Sequence, residues 1–167
     1  DTYGKLYNAY AVMDVRGIAP EGWHIPSTEQ WSELVEFLGG ASTAGKLLKS
    51  SSGWLEDGNG TDIHSFGALP GGKRTPSTAE YQKCSKYGLW WSASQVSKIN
   101  TMVWAYYVCY LNDEVDRSGY NPLCGFSVRC VRNEWTDIKR IIQDEGKINL
   151  KKEILEEVEN YEFDYEM

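Results

Sequence analysis

Nowhere do the 167 residues hold an apolar run near the roughly 20 that a membrane-spanning helix requires, and no charged n-region, apolar h-region and cleavage site open the chain. Metal-binding vocabulary is thin: there are two histidines, His24 and His64, and four cysteines, Cys84, Cys109, Cys124 and Cys130, spaced by 25, 15 and 6 with no CxxC pair. Zinc and copper sites draw on close thiolate pairs or His clusters, so no metal or other cofactor is expected. Positive charge is also scarce. The net charge is -7, and the 35 residues from Asn133 onward account for -6 of it, leaving a nearly neutral body. Without a basic stripe to neutralise phosphates, nucleic acid is excluded as a natural partner. The chain begins at Asp1 rather than Met, which is read as a mature product or a trimmed chain and is compatible with a signal peptide or lipid anchor upstream.

Rings and turns are abundant. Seven Trp and eleven Tyr, with 16 Gly, describe a core built of large side chains joined by many loops. The length suits one well-buried body plus an appendage. Leu6 to Met13 alternates aromatic and small residues and reads as a strand. Ser27-Thr28-Glu29-Gln30 is a capping box, so a helix starts there. Trp31, Leu34, Val35 and Leu38 follow at i, i+3, i+4 and i+7, and Gly39-Gly40 ends the helix. A shorter helix is expected around Thr43 to Lys49, with Leu47 and Leu48 inward. From Trp54 to Arg74, Gly, Asp, Asn and Pro dictate long irregular loops.

The second half turns to strands: Leu89 to Ser92, Met102 to Leu111 and Gly125 to Val131. In the middle one, Met102, Trp104, Tyr106, Val108 and Tyr110 alternate with Val103, Ala105, Tyr107, Cys109 and Leu111, so both faces are apolar and the strand belongs in the centre of an antiparallel sheet. Helices followed by a sheet define an α+β body. After Asn133, Ile138, Ile141 and Ile142 suggest a short helix, and Leu150, Ile154, Leu155, Val158 and Tyr161 a second one with an apolar stripe. The expected division is 1–132 for the body and 133–167 for an acidic helical extension, whose stripe is expected to dock on the body or on a second copy in a homo-oligomer.

Seven blocks then carry a resemblance: Tyr3-Gly4-Lys5-Leu6-Tyr7-Asn8, Pro20-Glu21-Gly22-Trp23-His24-Ile25-Pro26-Ser27, Leu38-Gly39-Gly40, Ala44-Gly45-Lys46-Leu47-Leu48-Lys49, Phe66-Gly67-Ala68-Leu69-Pro70-Gly71-Gly72, Trp90-Trp91-Ser92-Ala93-Ser94 and Gly125-Phe126-Ser127-Val128-Arg129-Cys130-Val131-Arg132. In this order they resemble the Fibrobacter succinogenes major paralogous domain, over Asp1 to about Arg132. The resemblance implies a C-type-lectin-like fold, two helices packed on a twisted antiparallel sheet with long irregular loops, to which a C-terminal helical tail is added here. It also implies a bacterial protein that is secreted or lipid-anchored at the cell surface, with no assigned chemistry. Many relatives have Cys where this chain has Ala19, which by the same resemblance deprives Cys130 of its usual partner and makes it a buried thiol. A Cys84–Cys124 bridge stays open.

The expected function is a non-catalytic binding or scaffold domain for a protein or glycan ligand. Two alternatives are a hypervariable receptor diversified by a retroelement and an enzyme of the formylglycine-generating type. That enzyme uses two cysteines close together in sequence, unlike Cys109 and Cys124. His24 reads as structural, within its Trp-His-Ile-Pro block. The oxygen-rich stretch Glu56 to Asp62 has the hard ligands calcium prefers but lacks EF-hand order, and reads as a solvated loop. Candidate ligand-binding residues are Trp91, Ser94, Trp104, Tyr106 and Tyr110 on the aromatic strands, with Asn112, Asp113, Asp116, Arg117, Tyr120 and Asn121 on the loop that follows. Flat rings stack on sugars or anchor protein interfaces.

Overall fold

A computed structural model describes residues 2–99 and 101–133. The chain separates into two compact units, Asp1–Val131 and Arg132–Met167. The two helices expected after Asn133, with their stripe, lie outside the described residues. Among the described residues, no helix is long and apolar enough to cross a membrane.

The first unit is α+β. Three helices, α1 (Ala9–Met13), α2 (Thr28–Phe37) and α3 (Ala41–Leu48), accompany seven strands: β1 (Trp23–His24), β2 (Lys73–Arg74), β3 (Tyr81–Gln82), β4 (Tyr87–Gln95), β5 (Val103–Cys109), β6 (Asp116–Tyr120) and β7 (Val131–Arg132). The main sheet is antiparallel in the order β4-β5-β6, and β1-β7 and β2-β3 form two small pairs.

α2 begins as its capping box dictates: Ser27 Oγ accepts from Gln30 N–H, and Gln30 Oε1 accepts from Ser27 N–H at 2.9 Å. The reciprocal bonds satisfy two of the donors that a helix start leaves open. Its stripe then buries Trp31, Val35 and Leu38, with Leu34 half-buried. Trp31 stacks on Tyr106 of β5, ring centroids 5.1 Å apart.

β5 divides the interior in two, as its double apolar alternation requires. Tyr106 and Val108 join Trp31, Leu48, Trp54 and Trp90 in one core beneath α2 and α3. Val103 and Ala105 join Ala9, Val12, Trp91 and Phe126 in a second core under α1. The β4–β5 register shifts between Trp91 and Gln95. This irregularity brings Ser94 to the start of α2, where its Oγ accepts from Thr28 N–H at 3.1 Å.

Three expectations are corrected. Leu6 to Met13 is not a strand: Asn8 Oδ1 accepts from Ala11 N–H at 2.9 Å and caps the single turn and a half of α1. Gly125 to Val131 is not a strand of the main sheet. Its residues bridge three different partners in succession, Gly125 with Arg74, Phe126 with Tyr7 and Ser127 with Trp90, the last in parallel orientation; only Val131 and Arg132 form a strand, β7. The third strand of the main sheet is instead β6, inside the stretch read as a polar loop.

The irregular region from Lys49 to Gly72 is held by its own polar groups. Trp54 Nε1 donates to Ser50 Oγ and Ala68 O, both at 3.1 Å, inside the core. Asn59 Oδ1 accepts from Trp54 N–H, and Asp62 Oδ1 from Gly67 N–H at 2.7 Å. Two of the side-chain oxygens that suggested a hard cation, those of Asn59 and Asp62, thus serve the loop itself. No group of three or more His, Cys, Asp or Glu side chains is arranged to hold a metal ion among the described residues.

Candidate functional site

The eleven residues singled out from the sequence separate into three groups. Trp91 and Tyr106 are interior and are withdrawn as ligand contacts. Trp91 is 0% exposed, lies 4.4 Å from Phe126 by ring centroids and donates from Nε1 to Tyr7 O at 2.7 Å. Tyr106 is 4% exposed and its hydroxyl donates to Thr28 O at 3.0 Å. Both rings face a core because alternation along β4 and β5 sends side chains into one core or the other.

A second group shapes turns and packing. Tyr110 packs half-buried on the first core. Tyr120 packs on the second, edge-on to Phe126 at 4.8 Å, and burial, reinforced by the neighbouring Tyr107, pushes its phenol up to about 12. Asn112 Oδ1 accepts from Glu114 N–H, and Asn121 Oδ1 from Leu123 N–H, two local turns of the kind Asn favours. Asp113 pairs with Lys49 at 3.1 Å. Ser94 is engaged at the start of α2.

In the third group, Asp116 and Arg117 stand on the β6 side of a surface groove whose other bank is α2, and Trp104 carries the Arg117 guanidinium on its ring. Two adjoining hollows of about 310 and 390 Å³ share Ser32, Glu36 and Arg117. The α2 bank presents Glu29, Ser32, Glu33 and Glu36, which recur at i, i+3, i+4 and i+7 opposite the buried stripe. Arg117 lies over the ring of Trp104, 5.0 Å from its centroid, and its N–H groups have no hydrogen-bond partner among the described residues. Glu29 is held below the usual carboxylate range by hydrogen bonds from the Ser27 side chain, its own backbone N–H and Thr28, with Arg117 adding a smaller electrostatic pull. It therefore stays ionised to lower pH than an ordinary carboxylate. The groove offers carboxylates on one bank, that of Glu29 held in place, and a guanidinium stacked on an indole on the other. The four α2 residues were missed because a polar stripe on an amphipathic helix reads as its wet side; their spacing was the available signal.

The histidines are scaffold or surface residues. His24 Nε2 lies 2.8 Å from Gln30 Nε2, so β1 is fastened to the residue that completes the capping box. His64 is exposed and tilts against Phe37.

All four cysteines are free, with Cys84 and Cys124 unbridged. Cys130 is half-buried rather than buried, and packs on the second core, as Ala19 does. Burial raises the thiols of Cys124 and Cys130 above their ordinary value, so less reactive thiolate is present at a given pH. Cys109 is buried and donates to Asn112 Oδ1. Only Cys84 is exposed. A thiol titration of the native protein without reductant should therefore show one fast-reacting group, with all four counted after denaturation. Recovering only two in denaturant would demonstrate a bridge.

These features define an α+β domain with a charged, aromatic-edged surface groove. The chain belongs to the Fibrobacter succinogenes major domain family, whose model matches residues 1–132. Comparison with curated proteins and with solved structures finds no match.

Proposed function

We propose that this is a non-catalytic binding or scaffold domain with a C-type-lectin-like arrangement, exported to the bacterial cell surface, and that it engages a protein or glycan ligand through the groove between α2 and β6. Helices packed on a small antiparallel sheet, with a long irregular segment between them, agree with that arrangement. The observation that carries the reading is Arg117: its guanidinium rests on Trp104 with its N–H groups uncommitted, facing carboxylates across the groove. A planar fork already oriented by stacking loses little freedom when a carboxylate or carbonyl docks on it. The paired signs favour a protein segment that carries both a basic and an acidic or amide group.

The test is a screen of displayed surface proteins and glycans against the wild-type domain, followed by Arg117→Ala and Trp104→Ala. For a ligand that uses the groove, Arg117→Ala should weaken binding by about 2 kcal/mol, roughly thirtyfold in Kd. A ligand whose affinity is unchanged by both substitutions would place the binding face elsewhere.

A further inference from the structure

A second cleft, sharing no residue with the groove, lies between the N-terminal arm, the Gly67–Leu69 loop and the segment 127–129. Its volume is about 340 Å³. That is the low end for small-molecule sites, the scale of one sugar ring.

The walls are held firmly. The arm is tied by paired bonds between Tyr7 and Phe126, at 2.8 and 3.0 Å, and by Trp91 Nε1 on Tyr7 O. Ser127 is bonded to β4 on both sides, donating to Leu89 O at 3.0 Å and accepting from Trp91 N–H at 3.2 Å. One terminal nitrogen of Arg129 donates to Phe66 O at 2.6 Å and Gly67 O at 3.1 Å, and the guanidinium lies 4.8 Å from the Phe66 ring centroid. The backbone walls and Arg129 are thus set before any ligand arrives.

The groups that face the space are uncommitted. The hydroxyls of Tyr3, Tyr7 and Ser127, the Lys5 ammonium, and the Nε and second terminal nitrogen of Arg129 have no hydrogen-bond partner among the described residues. Among the described residues, no acidic side chain lines the cleft, in contrast to the groove with its glutamates. The charge of Asp62 is felt by Arg129, and its Oδ1 accepts from Gly67 N–H. Lys5, Arg129, Tyr3, Tyr7, Ser127 and Trp90 thus all line one small volume.

We infer that this cleft is a binding site for an acidic sugar residue, a hexuronate, with its carboxylate between Arg129 and Lys5. The two unspent nitrogens of Arg129, Nε and the second terminal one, each keep an N–H for a single charge-assisted bond to a carboxylate oxygen. Hydroxyls that both donate and accept match the ring hydroxyls, and tyrosine faces suit the apolar side of a pyranose. A neutral sugar would leave the two cations unanswered; a bare inorganic anion would leave the rings and hydroxyls unused.

The test is a titration of the full chain with glucuronate and galacturonate, followed by chemical-shift changes of the tryptophan indole N–H groups and by calorimetry, with glucose and inorganic phosphate as comparison probes. At least one uronate should saturate, and both comparison probes should bind about tenfold more weakly or worse. Arg129→Gln should weaken uronate binding by about tenfold or more. Because Arg129 also braces the Phe66–Gly67 loop, Lys5→Gln provides the variant that leaves the fold intact, and it should weaken uronate but not glucose. Absence of saturation by either uronate would overturn the assignment, as would equal affinity for glucose or phosphate, or uronate binding indifferent to Lys5→Gln and Arg129→Gln.

Discussion

Replacing Lys49 with Met should lower stability to urea by about 2 to 4 kcal/mol, although the two side chains have similar length and volume. Lys49 is 1% exposed, an unusual place for an ammonium group. Its three N–H donors meet three acceptors: Cys109 O at 3.3 Å, Asn112 O at 2.8 Å and Asp113 Oδ1 at 3.1 Å. They thereby fasten the end of α3 to the turn that carries the chain from β5 into β6. Met fills the space but offers no donor, so the buried Cys109 carbonyl loses one and the turn loses its anchor. Asp113→Asn is the informative comparison. The Asp113 side chain is 46% exposed, so water compensates its lost charge, and the change should cost no more than about 1 kcal/mol. Equal, small losses in the two variants would show that the turn holds without the lysine.

Gly60→Ala should be at least as damaging, costing about 3 kcal/mol or more or preventing folding altogether. A Cβ at Gly60 would sit 2.1 Å from Lys49 O and 2.6 Å from Lys46 O, both backbone atoms at the end of α3. The segment cannot retreat cheaply, since Gly60 N–H donates to Ser50 O at 2.9 Å and Thr61 N–H to Lys46 O at 2.8 Å. Gly17→Ala separates collision from backbone strain. Gly17 has φ +69° with nothing within 4 Å of a Cβ, so alanine there meets only the left-handed penalty of about 1 to 2 kcal/mol. Thermal or urea unfolding of the two variants should place Gly60→Ala clearly below Gly17→Ala; the reverse order would mean that the Gly60 segment is loosely held.

Local chemistry made part of the fold legible. Ser27 and Gln30 announce α2 because both halves of the cap lie within four residues, and β5 declares its central place because apolar residues on both its faces feed two cores. α1 was hidden: five residues are too few to show a helical period, and the decisive feature is one Asn8 cap. β6 was hidden because Asp116-Arg117-Ser118-Gly119-Tyr120 has little strand propensity; it is an edge, where polar residues guard against mispairing. The run from Gly125 onward is strand-like in composition, yet its partners, Arg74, Tyr7 and Trp90, are fixed by distant segments. The same limit applied to function. Trp104, Asp116 and Arg117 were visible as exposed chemistry, whereas Glu29, Ser32, Glu33 and Glu36 became their neighbours only once α2 had docked. Lys49, at the end of a Gly-Lys-Leu-Leu-Lys run, carries no local sign that it is interior.

The stitching of Tyr7 to Phe126 also bears on the order of events during synthesis. Phe126, with no exposed surface, is a centrepiece of the second core, and the arm that it pairs with is made more than a hundred residues earlier. A nascent chain therefore cannot complete that core until nearly the whole domain has left the ribosome. α1 must wait, half its surface apolar, for a partner still being translated. Closure between such distant segments carries a large loop entropy before any contact repays it, which puts folding in the slower millisecond-to-second class.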